Sequence, residues 1–173
     1  MRTLFLLVLL SAFDAAAATA NCRDTPGNLL ASGNCGFDKD AKGWTAASGA
    51  SVAHDPADQG VLKAVADASG SLTIEGPCLA VQPATEYRVA ARLRGAAGTA
   101  YFCSVNVFQY SDGACTEGSA PLASAPGPPG PAWKSLDGSA KTSGTAKSVR
   151  VQPVCSGDPR FVVQLDDFVV AKR

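Results

Sequence analysis

The chain has 173 residues with 15 basic and 15 acidic side chains, so its formal net charge is zero, and 46% of its residues are hydrophobic. Without a basic excess, we expect neither nucleic acid nor an anionic membrane surface as a partner. Beyond the N-terminus no stretch is long and apolar enough for a membrane-spanning helix, so we also expect no membrane insertion.

The first twenty residues predict a secretory signal peptide. Arg2 gives a short basic start, an apolar run extends over Leu4–Leu10, and Ala18–Ala20 is a small-x-small cleavage signal. We place the mature start at Asn21. Residues 21–173 then form a single domain that is secreted or periplasmic.

All the cysteines follow this signal, and their even number in an exported chain predicts disulfide bonds. They are Cys22, Cys35, Cys78, Cys103, Cys115 and Cys155. A zinc site is a weak alternative, because there is no Cys-x-x-Cys pair and His54 is the only histidine. Lipidation at Cys22 is the alternative to export as a free chain, but the residues before it match a lipoprotein signal poorly.

Short runs with a two-residue period predict the secondary structure of the mature chain. In chain order, the predicted strands are Ala50–His54, Val61–Val65, Ser71–Glu75, Glu86–Arg94, Tyr101–Tyr110, Lys134–Ala140, Ser148–Cys155 and Arg160–Ala171. Turn residues separate these runs, and long helical periodicity is missing. The pattern therefore predicts an all-β protein, a two-sheet antiparallel β-sandwich of the jelly-roll type.

A proline-rich segment interrupts this pattern. Ser119–Pro131 reads SAPLASAPGPPGP. Because proline removes a backbone donor from a sheet, we expect an extended surface loop here rather than a strand. It is either a solvated connector or a loop at the lip of a binding site.

Three predicted strands, Glu86–Arg94, Tyr101–Tyr110 and Ser148–Cys155, each have one apolar face and one mixed face. If they share a sheet, the mixed faces gather Arg88, Arg92, Asn106, Phe108, Arg150 and Gln152 on one outer surface. An aromatic ring can stack on a pyranose while amide and guanidinium groups bind its hydroxyls. These six residues are therefore candidate ligands of a polysaccharide or glycan, and an ordinary solvated sheet face is the alternative.

Several motifs carry a family resemblance when they are taken in order. The mature chain opens with NLLASGNCGFDKDAKGWT and continues with PCLAVQPATEYRVAARLRG, AWKSLDGSA, SVRVQPV and a terminal FVVQLDDFVV. This series resembles the carbohydrate-binding modules of the galactose-binding-like jelly-roll class, the group of families 4, 9 and 22. The chain departs from the usual series at Gly33–Asp38 and has Ala84 where glycine is usual. The motif set also occurs in secreted bacterial proteins, so the resemblance implies a bacterial, exported protein.

The resemblance implies a structural calcium ion. In such modules the first and last strands meet at one edge, and the ion is held there by backbone carbonyls and two carboxylates. The matching positions are Asp38, after the phenylalanine of the opening motif, and Asp166, from the Asp-Asp pair. Calcium favours six to eight oxygen ligands, which carboxylates and carbonyls supply. The alternative is that both aspartates are solvated or accept backbone hydrogen bonds.

The resemblance also implies that Trp44 and Trp133 pack in the core or at its edge.

The cysteine pattern leaves two pairing schemes open. Cys22 and Cys35 flank a short opening segment, and Cys103 and Cys155 both lie on apolar strand faces, which leaves Cys78 with Cys115. The alternative joins Cys103 to Cys115 and Cys78 to Cys155.

The sequence and the resemblance leave two alternative functions from different classes. The first is a secreted, non-catalytic, calcium-stabilised module that binds carbohydrate. The second is a secreted β-sandwich for protein–protein or cell-envelope contacts, with no sugar site. We do not expect an enzyme. A glycosidase needs two carboxylates that face each other across a sugar, whereas Asp166 and Asp167 are neighbours on one predicted strand.

Overall fold

The computed structural model describes residues 21–31, 34–57 and 60–173, so the predicted signal peptide lies outside the described residues. Eleven strands form in chain order: β1 (Thr45–Ala46), β2 (Ser51–Asp55), β3 (Val61–Val65), β4 (Ser71–Glu75), β5 (Cys78–Ala80), β6 (Glu86–Ala97), β7 (Ala100–Tyr110), β8 (Ala120–Gly127), β9 (Lys134–Lys141), β10 (Ser148–Gly157) and β11 (Val162–Lys172). In this part of the chain no helix is long or apolar enough to cross a membrane.

The strands form two antiparallel sheets that pack face to face. Sheet I has the order β1-β4-β10-β7-β8, with β5 also paired to β10, and sheet II has the order β2-β3-β11-β6-β9. Alternate residues of each strand fill the space between the sheets, as the two-residue period requires. The all-β, two-sheet prediction is confirmed, and all eight predicted strands are present with shifts of a few residues at their ends.

The prediction for Ser119–Pro131 is partly wrong, because Ala120–Gly127 of this segment is strand β8. This strand pairs with β7 and lies at the end of sheet I. Proline is tolerated on an edge strand, since only one side of the strand needs its backbone donors. Pro121 and Pro126 thus occupy the position in a sheet where their missing N–H groups cost least.

An aromatic cluster closes the core at the N-terminal end of the chain. The Trp44 ring centroid lies 4.4 Å from that of Phe168 and 5.4 Å from that of Phe37. Trp44 is only 4% exposed, and Phe37 and Phe168 are fully buried. Trp44 therefore belongs to the core, as expected for the tryptophan of the opening motif.

Three disulfides join the cysteines, and the first of the two pairing schemes is confirmed. They are Cys22–Cys35, Cys78–Cys115 and Cys103–Cys155. Cys103 and Cys155 lie opposite each other on β7 and β10 and point into the core. Cross-strand neighbours on one face have their Cβ atoms close together, which makes this pair geometrically favourable.

Candidate functional site

The six predicted glycan-binding residues lie on two different surfaces, so the expectation of one shared sheet is wrong. Strand β6 belongs to sheet II, while β7 and β10 are neighbours in sheet I. Arg88 and Arg92 therefore face away from the other four residues. Both sheets of a sandwich show the same alternation, so the sequence period gives no information about which sheet a strand joins.

The other four residues form one contiguous patch, which we call the sheet I face. Asn106 pairs in register with Gln152, and Phe108 pairs with Arg150, on adjacent strands. The neighbours of these residues along each strand point into the core, so their own side chains face the outer surface. There each side chain is half-buried. The patch thus presents one aromatic ring, two amides and one guanidinium within two adjacent rows of the sheet.

Intramolecular contacts hold this patch in place. Arg150 Nη1 donates to Glu75 Oε2 over 2.9 Å, which fixes the guanidinium above strand β4. The Ser104 hydroxyl donates to Asn106 Oδ1 over 2.8 Å. Glu75 and Ser104 were not among the predicted site residues, although alternation along their strands places both on the outer face. The side chains are therefore partly preorganised by their own neighbours.

The same face continues to the other end of β7. Phe102 is 46% exposed and pairs with Ser156 of β10. Its even position in the strand gives it the same orientation as Asn106 and Phe108. The alternation of β7 was a signal for Phe102 as well, but the predicted site included only Asn106 and Phe108 from this strand face.

On the outer face of sheet II, the arginines have partners of their own. Arg88 Nε donates to Asp137 Oδ2 over 2.9 Å, and Arg92 Nη1 donates to Asp167 Oδ2 over 3.0 Å. The guanidinium carbons of Arg92 and Arg94 lie over the Trp133 ring, 4.9 and 4.8 Å from its centroid. Cations so placed are attracted by the indole ring. Trp133 is therefore a packing partner of these arginines at the edge of the structure.

The predicted calcium residues come together from opposite ends of the chain. A methyl group built on Gly36 would lie 3.8 Å from both Asp38 Oδ1 and Asp166 Oδ1. The two carboxylates and the Cys22 sulfur, 3.3 Å from the same built atom, thus border the space that the missing side chain of Gly36 leaves open. On its other side, Asp38 forms an ion pair with Arg23.

Strand β11 is irregular at the Asp-Asp pair. The register with β6 shifts between Asp166 and Val169, and Asp167 has a φ of 51°. Asp167 accepts a hydrogen bond from the Cys22 backbone N–H over 3.2 Å. This bulge departs from simple strand alternation and leaves both aspartates half-buried beside the N-terminal segment.

Burial and the neighbouring Asp167 carboxylate raise the pKa of Asp166 to about 7, although a hydrogen bond from the Asp167 backbone N–H and the charges of Arg92 and Arg23 act in the opposite direction. In this environment the ionised form of Asp166 is disfavoured, and a further positive charge nearby would stabilise it. Among the described residues, no group of three or more His, Cys, Asp or Glu side chains is arranged to hold a metal. An ion here would therefore need backbone carbonyls or water besides Asp38 and Asp166. The all-oxygen donor set suits calcium.

Comparisons with known proteins give likenesses in structure only. No protein-family model matches the sequence, and no curated protein matches it. A family 16 carbohydrate-binding module matches with a TM-score of 0.64 and 15% identity, over 83% of this chain and 99% of that module. A family 61 module in complex with β-1,4-galactotriose matches with a TM-score of 0.57 and 17% identity, over 84% of this chain and 99% of that one.

A third solved structure is the C-terminal family 22 module of Clostridium thermocellum Xyn10B. It matches with a TM-score of 0.58 and 15% identity, over 79% of this chain and 89% of that module. Identities this low establish the fold, and the near-complete coverage shows that the likeness extends over whole modules. The chain therefore has the two-sheet jelly-roll fold of these carbohydrate-binding modules.

Proposed function

We propose that the chain is a secreted or periplasmic, non-catalytic module that binds a polysaccharide on the sheet I face. The observation that carries the proposal is the position of Asn106, Phe108, Arg150 and Gln152. They form one patch on a fold shared with carbohydrate-binding modules over almost their whole length. The three disulfides support export, because such bonds persist in oxidising compartments.

Each side chain of the patch has a distinct role in this proposal. The Phe108 ring stacks on the apolar face of a sugar ring, and the Asn106 and Gln152 amides donate and accept hydrogen bonds with hydroxyls. Arg150 donates to further hydroxyls while Glu75 holds it in place. The family 61 neighbour was solved with β-1,4-galactotriose, so a β-1,4-linked galactan is the first neutral ligand to test.

We also propose that calcium binds between Asp38 and Asp166 as a structural ion. Its charge would compensate the half-buried Asp166 carboxylate, whose present cationic neighbours are Arg23 and Arg92. Gly36 supports this assignment, because its lack of a side chain leaves space beside both carboxylates. The ion would tie the N-terminal segment to the last strand of the sandwich.

The test of glycan binding is retention of the oxidised mature domain on a panel of soluble and insoluble polysaccharides. We expect retention on one class, and we expect Phe108→Ala to weaken it by about tenfold or more. For this expectation we take a sugar stacked on one ring to contribute as much as a stacked nucleic-acid base, on the order of 1–3 kcal/mol. Arg88→Ala is the matched control, because Arg88 lies on the opposite sheet. No retention on any polysaccharide, or equal losses in both variants, would contradict the proposal.

The second candidate function is a protein–protein or cell-envelope contact without a sugar site. The observation that favours it is the exposure of two adjacent aromatic residues, Tyr101 at 62% and Phe102 at 46%. Exposed aromatic side chains are enriched at interfaces. If the polysaccharide panel gives no retention, cross-linking of Tyr101→Ala and wild-type chains in the native envelope would test this candidate.

A further inference from the structure

A cavity of about 550 Å³ lies at the edge of the sandwich, between the N-terminal loop and the segment that precedes β5. The N-terminal loop forms one wall with charged side chains, and Gly43 and Pro77 form part of the other. Its volume is within the range of small-molecule sites in proteins. The charged lining residues are Arg23, Asp38, Lys39, Asp40 and Lys42.

Both carboxylates of the cavity wall already have partners. Asp38 forms an ion pair with Arg23. Asp40 Oδ1 accepts hydrogen bonds from Asn34 Nδ2 over 2.8 Å and from the Lys42 backbone N–H over 2.9 Å. Both acidic side chains of the wall are therefore already engaged with neighbouring groups.

Unlike the two carboxylates, the two lysines of the wall have no partner among the described residues. Within the described residues, the ammonium groups of Lys39 and Lys42 have neither an ion pair nor a hydrogen bond, and both side chains are exposed. Three cations thus face two carboxylates, which leaves an excess positive charge. Because neighbouring groups engage both carboxylates, the lysine ammonium groups carry this excess, and a net positive charge in a concave site attracts anions.

The cavity also adjoins the proposed glycan surface. Pro77 immediately precedes Cys78, which pairs in register with Arg150 of the sheet I face. Gly43 lies just before strand β1, at the same edge of sheet I. A polysaccharide chain that crosses the sheet I face toward this edge would bring a sugar substituent to the mouth of the cavity.

We propose that the cavity binds the anionic group of an acidic sugar residue, with Lys39 and Lys42 as its counter-charges. The ligand chemistry is a carboxylate or sulfate on a saccharide, as in a uronic acid or a sulfate ester. This inference rests on the proposed glycan-binding function and gives the polysaccharide an acidic character. Lysine suits the role because its ammonium is a compact charge on a flexible stem.

The test measures the dissociation constants of the oxidised mature domain for three oligosaccharides of equal length: neutral, uronate-containing and sulfated. We expect wild type to prefer at least one acidic form over the neutral form by about tenfold at low salt. The double variant Lys39→Gln, Lys42→Gln should lose that preference and keep its affinity for the neutral form. The acidic form that is preferred identifies the carboxylate or the sulfate as the natural group.

The matched control is Lys63→Gln, Lys141→Gln, which removes the same charge from exposed positions on sheet II. Equal losses in both double variants would mean non-specific attraction and would overturn the inference. Equal wild-type affinity for neutral and acidic forms would overturn it and leave the proposed glycan binding intact. If no oligosaccharide binds at all, both the inference and the proposed function fail.

Discussion

Asn28 is a buried side chain whose amide joins the N-terminal segment of the described chain to strand β11. Its Nδ2 donates to the carbonyls of Cys22 and Phe168 over 2.8 and 3.0 Å. Its Oδ1 accepts from the backbone N–H groups of Leu30 and Val170 over 3.2 and 2.9 Å. The side chain is 8% exposed, so water does not replace these bonds readily.

We expect Asn28→Ala to lower the free energy of unfolding by about 2–4 kcal/mol, because several buried backbone groups lose their partners. Urea unfolding followed by fluorescence measures the change. Asn21→Ala, at an exposed position, should cost less than about 0.5 kcal/mol. Similar losses in the two variants would show that the buried amide network is not a source of stability.

Asp112 organises the loop between β7 and β8 through a second local network. Its carboxylate accepts from the Thr116 hydroxyl over 2.7 Å and from the backbone N–H groups of Ala114, Thr116 and Glu117. These hydrogen bonds, the Thr116 hydroxyl first, lower the pKa of Asp112 to about 2 against a smaller loss of hydration.

A carboxylate with a lowered folded pKa stabilises the protein above its unfolded value of 3.8, and this contribution disappears as the pH falls toward about 2. We therefore expect Asp112→Asn to melt below wild type at pH 6, with a difference that shrinks between pH 4 and about 2. Asp24→Asn, at an exposed position, is the control. A difference in melting temperature that does not change with pH would contradict the assignment.

At the level of elements, β7 and β10 form the centre of sheet I and carry most of the proposed glycan surface. Their inner faces meet at the Cys103–Cys155 disulfide, and their outer faces carry Asn106 and Gln152 in register. The covalent bond thus fixes the spacing of the two strands on which the candidate ligands lie.

Replacing both Cys103 and Cys155 with alanine should lower the free energy of unfolding by about 4 kcal/mol. Replacing Cys22 and Cys35 should lower it by about 3 kcal/mol, because that disulfide closes a shorter loop. The sequence separations are 52 and 13 residues. Each double variant is compared with wild type by urea unfolding under oxidising conditions. A larger loss for Cys22 and Cys35 would show that local constraint at the N-terminus dominates.

At the level of the whole molecule, the N-terminal segment pairs with the C-terminal half of β11, the central strand of sheet II. Leu29 N–H donates to the Val170 carbonyl, and Phe168 N–H donates to the Cys35 carbonyl. The Cys22–Cys35 disulfide closes this segment, and the proposed calcium position lies close to the Cys22 sulfur. Chain ends that are joined in this way are protected from local unfolding.

If calcium binds between Asp38 and Asp166, saturating calcium should raise the melting temperature by roughly 5–10 °C, since an ion at a hundred times its dissociation constant adds about 2.7 kcal/mol. EDTA should reverse the shift in differential scanning calorimetry. Gly36→Ala and Asp38→Asn should abolish it, and Asp137→Asn, on the outer face of sheet II, should not. A wild-type melting temperature that ignores both calcium and EDTA would exclude the ion.

The sequence by itself determined the strand pattern and the disulfide candidates. Strand period follows from residue-by-residue alternation, which is a local property, and all eight predicted strands form. The opening and closing motifs also predicted Asp38 and Asp166 as calcium ligands, and the fold brings both carboxylates close to Gly36. For Cys103, the residue pattern favoured Cys155 as the disulfide partner but could not exclude Cys115.

The tertiary structure decided which strands are neighbours. Arg88 and Arg92 were grouped with Phe108 because their strands have the same kind of outer face, but β6 crosses to the other sheet. Strand β8 was missed because proline is excluded only from strands that pair on both sides, and edge position is a property of the whole sheet. Sheet membership and edge position arise from long-range pairing, which no local pattern encodes.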